Sequence, residues 1–310
     1  MKPSLRVSVA TGLFLAFAAG GTEPWADPRL PATDGLALWF DVSRQNAARG
    51  AREQSPLRSW NDAADLLFDG SGHRRDARQP RLEARPAFLQ WNAATLRFDG
   101  TNDFLALSAP GWRAPVATVF LVANPQRVES FSGPFAAAAA GRNDYHSGLS
   151  LDFGGAPATN LARVNAEGAG FSGEADLLAG PPLPLDRWHV FTLVAGDGPE
   201  GVRLFLDGRP RGARPREGGA PLHFDEVTLG ARRYSNTPDR PQVQGFFGGE
   251  LAELLVFDRV LPDTERAAVE RYLEGKYGVL LRGLGGAPVQ EGPVPLAGVA
   301  SPPAVQVHLP

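Results

Sequence analysis

The 310-residue chain is predicted to fold as an all-β sandwich of two face-to-face antiparallel sheets, with one short helix near the C-terminal end. Three observations carry that prediction. Short apolar runs alternate with Gly, Asn, Asp and Pro clusters from about residue 34 to about residue 281. No strand-like run alternates with long helical patterns, as a parallel sheet with crossover helices would require. The composition is globular, with 43% hydrophobic and 21% charged residues, and its 36 glycines and 28 prolines mark frequent turns. Sandwiches of this kind often run to about 200–250 residues in one domain.

The two ends differ from the body. Lys2 and Arg6 precede an apolar run, Val7 to Ala19, and small residues follow at Gly20 and Gly21. Residues 1–21 therefore read as a secretory signal, since a membrane-spanning helix needs about 20 apolar residues. Export to the periplasm or beyond is expected, with no stable membrane span after cleavage. Residues 22–33 are Pro-rich and read as a linker, and residues 34–281 form the domain. Residues 282–310 read as a flexible Gly/Pro-rich tail in which only Arg282 and Glu291 carry charge.

Within the body, Leu36 to Asp41 opens the strand series. Leu96-Arg97-Phe98 and Phe104 to Leu107 flank Asp99-Gly100-Thr101-Asn102-Asp103, a turn that predicts a hairpin. Thr118 to Val122 is continuously apolar, which suits a buried strand. Leu149 to Phe153 alternates, and Trp188 to Ala195 is a further strand. Val202 to Leu206 meets Asp207-Gly208, a second hairpin signal, and Val227 to Gly230 and Leu251 to Phe257 complete the set. Trp188 and Phe205 are expected in the core.

The helix begins after Pro262. Asp263 and Glu265 favour its first turn through the helix dipole. Val269, Tyr272, Leu273 and Tyr277 fall at helical spacing, and Gly278 stands where a left-handed cap would end it.

Three of these segments together resemble the laminin-G-like, concanavalin-A-like jelly-roll family found in many exported bacterial proteins. They are Leu96 to Leu105, Arg187 to Gly208, and Gly249 to Gly278 with its Glu250-Leu251-Ala252-Glu253 core. Leu36 to Asp41 and Ser59-Trp60-Asn61-Asp62 look like the start of the same module. The resemblance implies a two-sheet jelly roll with a concave face, and binding or adhesive roles often directed at carbohydrate. Function does not follow from so widely reused a fold.

Chemistry is sparse. Without cysteine there is no disulfide, thiolate metal site or cysteine nucleophile. Five dispersed histidines form no local zinc motif, and no nucleophile elbow or phosphate-cradling loop occurs. Sandwich glycosidases need two carboxylates sharing a face. Glu250 and Glu253, three apart on a strand, point to opposite faces unless a bulge intervenes, and neighbouring Asp225 and Glu226 also diverge. No enzyme activity is therefore expected, and no cofactor other than a calcium ion. Asp99, Asn102 and Asp103 could hold that ion, as family relatives often do at a sheet rim, though the same residues suffice to make the turn.

A net charge of −3 argues against nucleic acid. Two arginine clusters, Arg74-Arg75 with Arg78 and Arg209 to Arg216, read as solvated loops in preference to a polyanion site. Two loops combine planar rings with hydrogen-bonding groups: Arg142 to His146, and Arg232 to Asn236. Tyr145, His146, Tyr234 and Asn236 are accordingly the candidate ligand residues. The leading reading is an exported, non-catalytic module that recognises glycan or a surface protein through rim loops. A structural or adhesive spacer of a cell-envelope assembly is the alternative, and a divergent glycoside hydrolase or lyase is the third.

Overall fold

The computed structural model describes residues 21–60 and 62–283. The signal assigned to residues 1–21 lies outside them except for Gly21, as does the tail from residue 284 onward. In chain order the strands are β1 (Leu36–Asp41), β2 (Leu66–Leu67), β3 (Ala77–Arg78), β4 (Ala87–Gln90), β5 (Ala94–Asp99) and β6 (Leu105–Ser108). There follow β7 (Arg113–Ala114), β8 (Ala117–Arg127), β9 (Phe135–Ala138), β10 (Leu149–Asp152), β11 (Asn165–Gly168) and β12 (His189–Ala195). The series closes with β13 (Gly198–Leu206), β14 (Arg209–Arg216), β15 (Leu222–His223), β16 (Glu226–Leu229), β17 (Arg232–Tyr234), β18 (Gln242–Gln244) and β19 (Gly248–Phe257). The α-helices are α1 (Gln45–Ala51), α2 (Asp144–Ser147), α3 (Asp263–Lys276) and α4 (Gly278–Leu281).

Two antiparallel sheets face each other, as the sequence predicts. The larger runs β14-β13-β12-β8-β19-β5-β4, with β1 also paired to β19, and the smaller runs β11-β10-β9-β16-β6-β3-β2. Between them lie Phe40, Leu121, Leu193 and Leu254 from one sheet against Phe135, Leu151 and Leu229 from the other. The Thr118 to Val122 run is apolar throughout because both its faces are covered. Val119 and Leu121 enter the core between the sheets, while Phe120 and Val122 lie in a second apolar layer with Val269, Leu273 and Tyr277 of the helical stripe. Trp188 belongs to that outer layer, and buried Phe205 lies under the Arg266 guanidinium, 3.7 Å away.

Several local readings change in three dimensions. Residues 22–33 are no free linker. Ala26, Leu30 and Ala32 pack into the layer that holds the helix, and Trp25 packs on Ala48, Leu66 and Phe68. Helix α1 gave no sequence signal. Gly278 is not a left-handed cap: Tyr277 (φ −105) ends α3, the chain continues into α4, and the left-handed residue is Gly283 (φ +71).

The Asp207-Gly208 hairpin forms between β13 and β14, both residues having positive φ (52° and 70°). The expected hairpin about Asp99 to Asp103 does not. Strand β5 belongs to the larger sheet and β6 to the smaller, so this turn is a corner that carries the chain between sheets. The chemistry that would close a hairpin closes the corner instead. Asp99 Oδ1 accepts from the backbone N–H of Thr101, Asn102 and Asp103 at 2.7, 3.0 and 3.2 Å, and Asp103 Oδ2 accepts from Asp99 N–H at 3.0 Å.

Strand β19 carries a bulge. Leu251 faces Ala123 and Glu253 faces Val122, leaving Ala252 as the extra residue. One additional residue reverses the alternation, so Glu250 and Glu253 share the outer face and do not oppose each other. Glu250 meets Thr95 Oγ1 and Arg97 Nη2, both at 2.9 Å. Glu253 is sealed beneath α3. It accepts from Trp39 Nε1 (2.7 Å), the Tyr277 hydroxyl (2.7 Å) and Lys276 Nζ (2.6 Å), and Lys276 also donates to Asp41 (2.5 Å). Burial, and then the neighbouring Asp41 charge, push Glu253 up to about 7.

Strand β14 is the outer strand of the larger sheet, so the Arg209 to Arg216 cluster is no solvated loop. Arg214 donates to the carbonyls of Ala166, Gly173 and Ser172 at 2.6–3.1 Å. Arg216 is buried and donates to those of Ala169, Pro115 and Ala220 and to Asp197.

At Gly230 (φ +78), a β-carbon would meet the Phe98 ring at 2.1 Å, where β16 gives way to β17. Gly230→Ala therefore combines a strained backbone with core overpacking and is expected to cost about 2–4 kcal/mol. Urea unfolding would check this, and a loss below about 1 kcal/mol would show that the Phe98 ring can move aside.

Candidate functional site

The site is built around one buried arginine. Arg232 opens β17, and its side chain is 1% exposed. It donates to Asp144 through Nε (3.1 Å) and Nη2 (2.8 Å), to Asp152 through Nη1 (2.5 Å) and to Glu167 through Nη2 (3.3 Å). These partners come from α2, the end of β10, and β11, so the network ties the hairpin of β17 and β18 and the α2 turn to the smaller sheet. Asp144 and Asp152 are fully buried. Three acids face one base, so the acids are in surplus. Burial pushes Asp152 up to about 6 against the pull of Arg232, while the three carboxylates make Arg232 hold its proton more tightly than free arginine despite its own burial.

The remaining carboxylate lone pairs are largely taken. Gly154 N–H and Asn165 Nδ2 donate to Asp152, Arg233 N–H donates to Asp144, and Gly173 N–H donates to Glu167 at 2.7 Å. A second set of bonds fixes the two loops to each other. Asn143 accepts from Ser235 N–H (2.8 Å) and donates to the Tyr145 hydroxyl (2.8 Å), which in turn donates to the Ser235 carbonyl (3.0 Å). These bonds hold the α2 turn and the end of β17 against each other.

Above this floor opens a pocket of about 210 Å³ lined by Phe131, Tyr145, Glu167, Glu174, Arg232, Tyr234 and Asn236. Phe131 meets Tyr234 edge-on with ring centroids 6.0 Å apart, and Asn236 is exposed. Burial raises the Tyr234 hydroxyl above its ordinary value. Three of the four candidate ligand residues, Tyr145, Tyr234 and Asn236, therefore share one cavity. His146 does not line it: its ring is exposed and lies 4.4 Å from that of Tyr145. Phe131, Glu167 and Glu174 escaped the sequence reading because they lie on segments remote from both loops. Asp152 had a faint signal, as a polar position on the alternating strand Leu149 to Phe153.

The calcium candidates behave otherwise. Asp99 and Asp103 direct their carboxylates at the backbone of their own corner, and among the described residues no group of three acidic, His or Cys side chains could hold a metal ion. Burial raises Asp103 to about 6. His189 is held by Asp207 at 2.8 Å beside the hairpin of β13 and β14.

Residues 99–265 match the Laminin_G_3 family, described as the concanavalin A-like lectin/glucanases superfamily. No curated protein matches the chain. Among solved structures, a Trypanosoma rangeli sialidase in complex with sialic acid is similar over 80% of this chain at 12% identity and a TM-score of 0.48. This chain covers 34% of that sialidase, about a third of its length. Domain 4 of an extracellular GH43 arabinanase from Geobacillus stearothermophilus, in complex with arabinotriose, is 12% identical over 76% of this chain and 98% of its own, with a TM-score of 0.45. A heptameric pentraxin from Limulus polyphemus is 18% identical over 56% of this chain and 79% of its own, with a TM-score of 0.43.

Proposed function

Because this chain belongs to the concanavalin A-like lectin/glucanases superfamily, we propose that it is an exported carbohydrate-binding module without chemistry of its own, and that a sugar sits in the pocket between α2 and β17. One observation carries the reading. Three aromatic side chains, two carboxylates, an amide and a guanidinium converge on one cavity, and Tyr145, Glu167 and Arg232 among them are already held by hydrogen bonds. A pyranose offers an apolar C–H face to a ring and hydroxyls to polar groups. Glu167 and Glu174 can accept from hydroxyls, and Asn236 can both accept and donate. Preorganisation removes the ordering cost that weakens binding by mobile loops.

The size narrows the ligand. At about 210 Å³ the cavity is below the roughly 300–1,000 Å³ of clefts for drug-sized ligands, which suits a single ring or the end of a chain. Hydrolysis would require one carboxyl to deliver a proton while another acts as base or nucleophile. Glu167 is engaged by Arg232 and Gly173, and Glu174 by Arg163 at 3.3 Å, an arrangement suited to accepting hydrogen bonds.

A glycan array followed by calorimetry tests this. Neutral sugars should be retained, and Asn236→Ala should raise Kd about tenfold, the worth of one or two well-made hydrogen bonds. Tyr145→Phe keeps the ring but loses the hydroxyl that bridges Asn143 and the Ser235 carbonyl and should bind several-fold more weakly, while Tyr145→Ala, which loses the ring as well, should weaken binding further. No reducing ends should appear. A parent protein that retains no neutral glycan, or an Asn236→Ala protein that binds unchanged, would refute the proposal. Export rests on Lys2, Arg6 and the Val7 to Ala19 run, and N-terminal sequencing of the mature protein tests it.

A further inference from the structure

At the opposite margin of the smaller sheet, beside β3 and β6, a second cavity of about 530 Å³ opens between residues 73–78 and 108–112. His73, Arg74, Arg75 and Arg78 line it, with Asp76 the one carboxylate among its lining residues. The wall is thus cationic in a protein whose net charge is −3. From this cavity we infer a second binding site, selective for a polysaccharide that carries carboxylate or sulfate groups.

The guanidinium at its centre is preset. Arg75 lies over the Trp112 ring at 3.9 Å, and Trp112 stacks on Phe224 with ring centroids 4.6 Å apart. Arg75 Nη1 donates to the Ala37 carbonyl at 2.5 Å, which holds the plane in place. The carboxylates of Asp69 and Asp76 are engaged by backbone N–H groups. Buried Asp69 accepts from the backbone of Trp39, Ser71 and Arg75 and from the Ser71 hydroxyl. Asp76 accepts from Asp69 N–H and is 3.9 Å from Arg78, whose side chain is 64% exposed. Glu23 lies 3.9 Å from Arg74 and 3.4 Å from Arg52. Burial draws Arg75 below its ordinary value, although Asp69 and Asp258 partly offset the lost solvation, so an arriving anion would restore what burial removed.

Size and stacking select the ligand class. A single small oxyanion would leave most of about 530 Å³ empty, whereas a chain of charged sugars would fill it. Single-stranded nucleic acid gains much of its affinity from bases laid on aromatic faces. Here Trp112 is buried beneath Arg75 and stacked on Phe224, so it offers no such platform.

The experiment uses the full chain, with dextran sulfate and polygalacturonate as probes and neutral dextran and a thymidine oligonucleotide as comparisons. The charged polysaccharides should be retained at low salt and neutral dextran should not. The Arg74→Ser/Arg78→Ser variant should weaken binding about tenfold or more, and the dependence of log Kd on log salt should flatten by roughly one per guanidinium removed. Asn236→Ala should leave this binding unchanged, which separates it from the sugar pocket. If the double variant melts early, exposed Arg78→Ser alone should still weaken binding several-fold. The inference is overturned if the parent binds neither charged probe, if neutral dextran or the oligonucleotide binds as tightly, or if a folded variant binds like the parent.

Discussion

Replacing Arg232 with alanine is expected to destabilise the protein by about 3–5 kcal/mol at pH 8 and by markedly less at pH 5. The loss arises because Asp144 and Asp152, both fully buried, would face each other and Glu167 without a cation. The pH dependence follows from Asp152. Its carboxyl is raised to about 6 in the folded protein, above its ordinary 3.8, so the folded state holds that proton more tightly than the unfolded chain. Its stabilising contribution is complete below about pH 4 and is lost as pH rises through about 6. Without Arg232 the carboxyl must rise further, so at pH 5 the buried acid is neutral and the defect shrinks. Urea unfolding at the two pH values, followed by tryptophan fluorescence, measures both numbers. Equal losses at both would show that solvent reaches the acids once the arginine is gone.

A second large effect is expected beneath the C-terminal helix. Lys276→Met leaves Asp41 and Glu253 buried around an uncharged side chain and should cost about 3–5 kcal/mol at pH 8. Glu253 is already pushed up to about 7, so the folded state again favours its protonated form. That contribution is present below the ordinary 4.5 and lost as pH rises through about 7, and the Lys276→Met defect should therefore lessen below pH 6. Glu253→Gln removes the charge and retains an acceptor for Trp39 and Tyr277. Added to Lys276→Met, it should restore about 1–2 kcal/mol or more, a coupling that a double-mutant cycle reads directly. Strict additivity would contradict the network.

Local patterns revealed what is local. His189 to Ala195, all but the first residue of the predicted run, and Leu251 to Phe257 lie in strands because apolar residues and turn residues punctuate them, and the acidic first turn marked α3 correctly. The Asp99 corner was misread because a carboxylate that caps three backbone amides serves a hairpin and a sheet-to-sheet crossing equally well. Which sheet receives the next strand depends on partners far along the chain. The bulge at Ala252 was invisible for a related reason: an extra residue leaves no mark in composition, only in what faces it across the ladder. Trp25 and Leu30 did carry a packing signal, masked by the prolines around them.

The candidate site divides along the same line. Tyr145, Tyr234 and Asn236 were legible because loops rich in rings and amides stand out. The arginine network was not, since Arg232 reaches Asp152 and Glu167 across 80 and 65 residues of chain, and no spacing rule links them. The first arginine cluster looked like a solvated loop until the fold stacked Arg75 on Trp112.

The terminal strand β14 also bears on how the molecule meets its neighbours. A rim of unpaired N–H and C=O groups invites another chain to add a strand, the first step toward fibrous aggregates. Pro210 and Pro215 remove two donors from that rim, and Arg209 and Arg211 add positive charge that a second copy would repel. The carbonyls gripped by Arg214 draw the 166–173 stretch across it as a cover. Strand-by-strand addition is therefore disfavoured on this side of the molecule.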